Sequence, residues 1–489
     1  MAGPLLGGLL WTLLPDSYSA VSGELIRLPA AARATGAVAT CMAVWWMTEA
    51  IPVQVTALLP LVLFPLLGIA DIGTTAASYG HEIIFLFMGG FILALALERW
   101  GLHKRLALNV LAAVGPRPAR IIGAFMAVSA LLSMWVTNTA TTLMLLPVAT
   151  SVIRLLPGND LDDGRADEPF AVCLLLGIAY ASSIGGMGTI IGTAPNVFVV
   201  SFIGEQLGRR IGFLEWMQFA LPLVAVLLPL AWWLLTRWVF PLRVQTFPAA
   251  AATLREQREA LARPVRGEWL TLAVFLATAL AWLTRPLLNG WVIAGVRPLA
   301  ELTDAGIAIT AAVILFLVPT SFSRQQFLMD WQTAVKLPWG LLILFGGGLA
   351  LAAALGNSGF SAYLGSLAAN LAGWPLLSVV LVVTAVVVFL TELTSNTATT
   401  ATLVPLLLAV ALGLGLPPLM LMLPATFAAS CAFMLPVATP PNAIVFGSGL
   451  LRIGTMSRAG LWLNIAAILV ITGFAYAILI PLFGAELRG

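Results

Sequence analysis

The segment Asn138-Thr139-Ala140-Thr141-Thr142 recurs as Asn396-Thr397-Ala398-Thr399-Thr400, 258 residues further along the chain. At the same offset Pro147 matches Pro405 and Ser133 faces Thr391. Upstream, Phe87-Met88-Gly89-Gly90 matches Phe345-Gly346-Gly347-Gly348, again at 258. A second motif, Thr193-Ala194-Pro195-Asn196, returns as Thr439-Pro440-Pro441-Asn442 at an offset of 246. Low-complexity Leu/Ala sequence gives accidental matches, but not five identical polar-rich residues in register with a second block. The chain reads as two related halves.

The halves are embedded in an unusually apolar chain. Of 489 residues, 60% are hydrophobic and 9% charged, with a mean hydropathy of +1.01. A soluble domain carries about 25% charged residues. These totals exclude a soluble enzyme, a disordered chain and a nucleic-acid binder. What fits is an all-α polytopic membrane protein. At roughly 20 apolar residues per span, the length accommodates about ten to twelve crossings. Cys41, Cys173 and Cys431 lie in apolar surroundings without a CxxC pattern and read as packing residues. With His81 and His103 as the only histidines, a histidine-based metal site or triad has little support. Residues 1–14 lack a basic leading segment, so a cleaved signal peptide is not expected.

Four apolar runs, 119–155, 169–204, 375–412 and 416–450, are too long for one helix and carry polar interruptions. Each is a broken helix or a re-entrant hairpin, because irregular backbone at membrane depth survives only where protein or a polar cavity satisfies it. Charge orients the halves. Residues 99–120 hold Arg99, Lys104, Arg105, Arg117 and Arg120, whereas the matching stretch 357–378 holds no charged residue. The positive-inside rule places the first in the cytoplasm and the second outside, so the repeats are expected to be inverted. Their expected limits are 1–242 and 269–489. Between them, 243–268 carries Arg243, Arg255, Arg258, Arg263 and Arg266 among glutamates, and reads as a cytoplasmic linker with a solvated helix over 249–262. Trp45 and Trp46 are expected to anchor at the interface, and Glu49 and Glu98, near span ends, to be structural.

The interruptions define the chemistry. They are Thr137-Asn138-Thr139, Gly192-Thr193-Ala194-Pro195-Asn196, Ser395-Asn396-Thr397 and Ala438-Thr439-Pro440-Pro441-Asn442. Ser, Thr and Asn favour N-caps and Pro favours the first helical turn, so Thr193 and Thr439 are predicted to cap half-helices restarting at Pro195 and Pro441. Helix N-termini suit an anion, and the free carbonyls of the arriving arms suit a small hard cation such as Na+. Residues 121–153, 170–204 and 375–451 contain no Lys, Arg or His, and Glu392 is their only charge. A dianion held there needs co-bound cations. The residues thus imply cation-coupled anion uptake. Two readings of Glu392 stand side by side: a functional intramembrane carboxylate, or a brace that accepts backbone N–H groups. An intramembrane hydrolase would need a Ser/His pair or paired aspartates beside the breaks, and neither is present. No enzymatic activity is expected.

With these motifs in order along nearly the whole chain, and with Trp45-Trp46-Met47-Thr48-Glu49-Ala50-Ile51-Pro52, the sequence resembles the divalent anion/sodium symporter family. The resemblance implies a homodimer with about eleven spans per protomer, and a transport domain moving as an elevator against a scaffold. It implies opposed re-entrant hairpins at 119–155 and 375–412 and unwound helices at 169–204 and 416–450. It places one Na+ near Ser133, Thr137, Asn138 and Gly192, and another near Thr391, Ser395, Asn396 and Ala438. Substrate carboxylates would meet Asn138, Thr139, Asn396 and Thr397, with Thr193 and Thr439 nearby. The implied activity is sodium-coupled symport of C4-dicarboxylates such as succinate or malate, with two or more Na+ co-transported, in the bacterial cytoplasmic (inner) membrane among lipid. Sodium-coupled sulfate transport and sodium-independent dicarboxylate exchange are the family's alternatives. Two departures are visible: Thr137 stands where the family has Ser, and Ala194 replaces the first Pro of a Pro pair.

Overall fold

A computed structural model describes residues 2–19, 24–155, 169–242, 246–292, 295–321, 326–368 and 373–480. Among these residues the only strands form two small antiparallel ribbons, Ser17–Ser19 with Leu25–Arg27 and Pro319–Ser321 with Gln326–Phe327. Helices make up nearly everything else, as the hydropathy demands. Seven are long and apolar enough to cross a membrane, including Pro169–Gly186, Arg266–Asn289 and Asn396–Gly413. The chain is an integral membrane protein.

The long apolar runs are each divided at their polar residues. The first run becomes Pro118–Ser133 and Asn138–Ile153, and the third becomes Leu376–Thr391 and Asn396–Gly413. Three of these arms have 16 residues. At 1.5 Å per residue each spans about 24 Å, short of a hydrocarbon core of about 30 Å. The other two runs are helices interrupted by irregular backbone. Pro169–Gly186 stops, a 3-10 turn Ile190–Gly192 follows, and Ala194–Leu207 begins. Likewise Leu419–Ala429 stops and Pro440–Gly447 begins after ten intervening residues.

Packing between these pieces is reciprocal. Ala194–Leu207 lies against Asn396–Gly413 of the other half, and Pro440–Gly447 lies against Asn138–Ile153. The half-helix restarting after each break thus seats on the second arm of the opposite half. Burial separates core from periphery. Pro169–Gly186 buries 17 of its 18 residues, whereas Arg266–Asn289 buries 5 of 24 and leaves Trp269, Leu276, Leu280, Leu283 and Leu287 exposed. Such a continuous apolar exterior is the surface lipid covers. Where helices touch backbone to backbone, glycine is required: a Cβ on Gly413 would strike the Gly365 carbonyl, and one on Gly185 would strike the Ala130 backbone. All three cysteines are unpaired and buried.

Two expectations are corrected here. Trp46 is fully buried and donates its indole N–H to the Val53 carbonyl at 3.1 Å, so it is a core residue and not an interfacial anchor. The linker helix runs Pro248–Glu259 and is not solvated all round: Ala250, Ala251 and Leu254 are buried against Leu102–Ala112 and Asn138–Ile153. Its alanine-rich face gives the charge run an apolar side. Nearby, Arg105 pairs with Glu268 and donates to the Ala262 carbonyl at 2.8 Å, and Arg258 donates to Asn109 at 3.2 Å. Arg243 lies outside the described residues.

Candidate functional site

Each hairpin turn is organised by its asparagine. In the first half the Ser133 hydroxyl donates to Asn138 Oδ1, and Thr142 Oγ1 donates to the Asn138 carbonyl at 2.9 Å. In the second half Thr391 Oγ1 donates to Asn396 Oδ1 at 2.9 Å, and Thr400 Oγ1 to the Asn396 carbonyl at 2.8 Å. The same pair of bonds therefore recurs at the 258-residue offset. Thr137 caps its helix by accepting from the Ala140 N–H at 3.3 Å, while Ser395 occupies the matching position without a side-chain cap bond.

The two breaks share a second device. Asn196 Nδ2 donates to the carbonyls of Gly186 (3.0 Å), Met187 (3.3 Å) and Thr189 (2.8 Å). Asn442 Nδ2 donates to those of Ala432 and Leu435, both at 3.0 Å. Gly186 and Thr189 stand 246 residues before Ala432 and Leu435, so this clamp repeats too. Its purpose is elementary. Where a helix stops inside protein, its carbonyls lose their intrahelical donors, and a buried amide replaces them. Both asparagines are fully buried.

The breaks differ in how their N–H groups are satisfied. Glu392 Oε1 accepts from the N–H groups of Phe433 (2.7 Å) and Met434 (2.8 Å) and from Asn464 Nδ2 (2.7 Å). Its Oε2 accepts from the Leu435 N–H at 3.0 Å. Of the two readings of Glu392, the bracing geometry is the one observed, and what it braces is the unwound segment of the second broken helix. At the equivalent place in the first half stands Met134, whose carbonyl accepts from the Thr189 hydroxyl at 2.5 Å.

The cap expectation holds at Thr439, which accepts from the Asn442 N–H at 3.3 Å. It fails at Thr193. There the Asn196 N–H bonds to the Thr193 backbone carbonyl at 3.2 Å, and the hydroxyl makes no cap bond although Thr193 holds the N-cap position. Both helices start directly after their threonine, at Ala194 and at Pro440, and only the Thr193 hydroxyl is left without a capping duty.

All four interruptions open onto one cavity of about 710 Å³. Of the residues singled out from the sequence, Thr137, Asn138, Thr139, Gly192, Thr193, Ser395, Asn396, Thr397, Ala438 and Thr439 line it. Ser133 and Thr391 do not. They are fully buried behind the asparagines that they orient. The N-termini of the helices beginning at Asn138, Ala194, Asn396 and Pro440 all face this space. Each contributes about half a positive charge, so the four supply about +2 without a basic side chain. Oxygen donors converge in the same region: a Cβ built on Gly186 would lie 2.7 Å from Asn138 Oδ1 and 3.2 Å from the Gly192 carbonyl. A pocket of hydroxyl, amide and carbonyl oxygens of this kind suits a small hard cation.

Sequence reasoning missed the rest of the lining. Met47, Thr48, Glu49, Phe91, Leu341, Leu393 and Val437 are in the wall, with Ile191, Thr394 and Ala443 beside the breaks. Met47–Glu49, Phe91 and Leu341 come from helices outside the hairpins and breaks, where no polar repeat marks them. Glu49 carried one available signal, a carboxylate at the end of an apolar run.

Comparison with known proteins agrees with this geometry. Residues 24–484 match the family model described as the sodium:sulfate symporter transmembrane region. The sodium-dependent dicarboxylate transporter SdcS of Staphylococcus saprophyticus is 40% identical over 99% of this chain and 92% of its own length. That of Staphylococcus aureus is 38% identical over 92% of this chain and 87% of its own. Among solved structures, the Alcanivorax borkumensis YdaH transporter superposes with a TM-score of 0.60, covering 99% of this chain and 97% of that one at 15% identity, a likeness of fold alone. With the family model matching residues 24–484 and relatives at 38% and 40% identity aligned over 92% and 99% of it, the chain belongs to the sodium:sulfate symporter family of membrane transporters.

Proposed function

We propose that this chain is a secondary transporter coupling inward Na+ movement to uptake of a C4-dicarboxylate across a bacterial inner membrane. The observation that carries the reading is the meeting of four helix N-termini on one cavity whose described lining has no basic side chain. About +2 of dipolar charge matches a dianion, while bound cations offset what the dipoles leave. Asn138, Thr139, Asn396 and Thr397 take the substrate carboxylates, with Thr193 and Thr439 beside them. One Na+ is held near Ser133, Thr137, Asn138 and Gly192, and a second near Thr391, Ser395, Asn396 and Ala438. Convergence of the Asn138 and Gly192 oxygens at Gly186 supports the first of these sets. The names of the SdcS relatives supply the substrate class.

The finer architecture belongs to the same proposal. Two inverted repeats, 1–242 and 269–489, flank the linker 243–268, giving about eleven spans. Reciprocal seating of the hairpins on the opposite broken helices supports their moving together as one transport domain. The cavity wall supplied by Met47–Glu49, Phe91 and Leu341 belongs to the scaffold against which that domain slides, as an elevator, within a homodimer surrounded by lipid.

The test is uptake of labelled succinate into proteoliposomes with and without an inward Na+ gradient, with sulfate and citrate as unlabelled competitors. Uptake that depends on the gradient is expected. Equal uptake in both conditions would sink sodium coupling, and competition by sulfate but not by dicarboxylates would reassign the substrate.

A further inference from the structure

Glu49 is out of place in two independent ways. Among the described residues lining the cavity it is the only charged one, and its charge has the same sign as the substrate's. It is also the only described non-glycine residue with positive φ, at 47°, where it ends the helix Ala30–Thr48. A left-handed C-cap is the usual place for glycine, and eight described glycines in this chain do take positive φ. Backbone strain held at a ligand-facing position marks a side chain retained for function. The carboxylate is exposed and pairs with no described cation, so its field reaches the cavity unneutralised.

We infer that Glu49 is a charge filter, setting how strongly the cavity prefers dianions over trianions. The inference rests on the cavity's being the dicarboxylate site. A fixed negative charge penalises each charge of the ligand in proportion, so a tricarboxylate suffers more than a dicarboxylate. It also tips the cavity towards cations, which a sodium-coupled site requires. By Coulomb's law, two unit charges separated by about 8 Å in a watery medium interact by roughly 2- to 6-fold in affinity, which sets the scale of the penalty per substrate charge.

The experiment measures apparent KM for succinate and citrate in proteoliposomes at saturating Na+ and about pH 8, well above ordinary carboxylate pKa values. Four proteins are compared: wild type, Glu49→Gln, Glu49→Asp and Glu49→Gly. In Glu49→Gln both KM values fall, and citrate gains on succinate by roughly 2- to 6-fold, the single extra charge. Glu49→Gly shows the same shift in ratio, since it removes the charge and relieves the backbone. Glu49→Asp retains the wild-type ratio. Raising ionic strength with choline chloride narrows the gap between wild type and Glu49→Gln. An unchanged citrate-to-succinate ratio in both neutral variants overturns the filter, as does a shift shared by Glu49→Asp. Absence of Na+-dependent succinate uptake by the wild type would instead overturn the site's assignment.

Discussion

Replacing Glu392 with glutamine keeps the size of the side chain and removes its ability to accept on both oxygens. The carboxylate receives four donors: three on Oε1, at 2.7, 2.8 and 2.7 Å, and one on Oε2, at 3.0 Å. Glutamine can serve the first three with its carbonyl. Its amide N–H groups then face the Leu435 N–H, donor against donor. Hydrogen bonds to a charged group contribute about 1.5–3 kcal/mol and neutral ones about 0.5–1.5 kcal/mol, so three weakened bonds lose about 1 kcal/mol each. Leaving the Leu435 N–H unsatisfied costs a further 1–3 kcal/mol or so, for a total of about 4–6 kcal/mol. The apparent Tm in detergent is therefore expected to fall by roughly 5 °C or more. Succinate uptake should fall with it, because the segment released carries Val437, Ala438 and Thr439 of the cavity wall. Thermal melts followed by size-exclusion, paired with uptake assays, check both. A Glu392→Gln protein melting within about 1 °C of wild type and transporting normally would refute the bracing role.

Two further outcomes follow from the same packing. Asn138→Ala and Asn396→Ala should each abolish Na+-driven uptake while the protein elutes as a single species, since each removes a cavity oxygen and releases a neighbouring hydroxyl; normal transport by both variants removes the proposed site. Gly413→Ala should lower the yield of monodisperse protein, because its methyl meets the Gly365 backbone, with overpacking worth about 1–3 kcal/mol. Gly447→Ala, which meets nothing within 4 Å, is the control, and equal yields would contradict the contact.

How much of this was legible beforehand follows from where information sits in an apolar chain. Asn138, Asn396, Asn196 and Asn442 stand out because a polar residue inside a long hydrophobic run has a large desolvation cost and needs a reason. Their doubling supplied the reason, and ten of the expected residues line a single cavity. Phe91, Leu341 and Val437 were invisible because one apolar residue among many has no periodic signature. Pro169–Gly186 is buried on every side, so no amphipathic stripe distinguishes a cavity-facing position from any other. Trp46 was misplaced for a related reason: a Trp pair near a span end fits the interface equally well, and only the position of the Val53 carbonyl shows where its N–H goes. Thr193 takes the N-cap position that the spacing predicts, but the Asn196 N–H bonds to its backbone carbonyl and not to its hydroxyl, a choice of acceptor that no residue type announces.

The three buried cysteines have a practical use. Cys41 is 7% exposed, and Cys173 and Cys431 are fully enclosed. A maleimide added to the folded protein meets almost no native thiol, so a cysteine introduced at an exposed position away from the cavity, such as Leu25 at 71% exposed, can be labelled selectively in the otherwise natural chain. Spectroscopic distances could then be followed through the transport cycle without first building a cysteine-free background. Labelling of the native thiols themselves would become a clock for opening of the core.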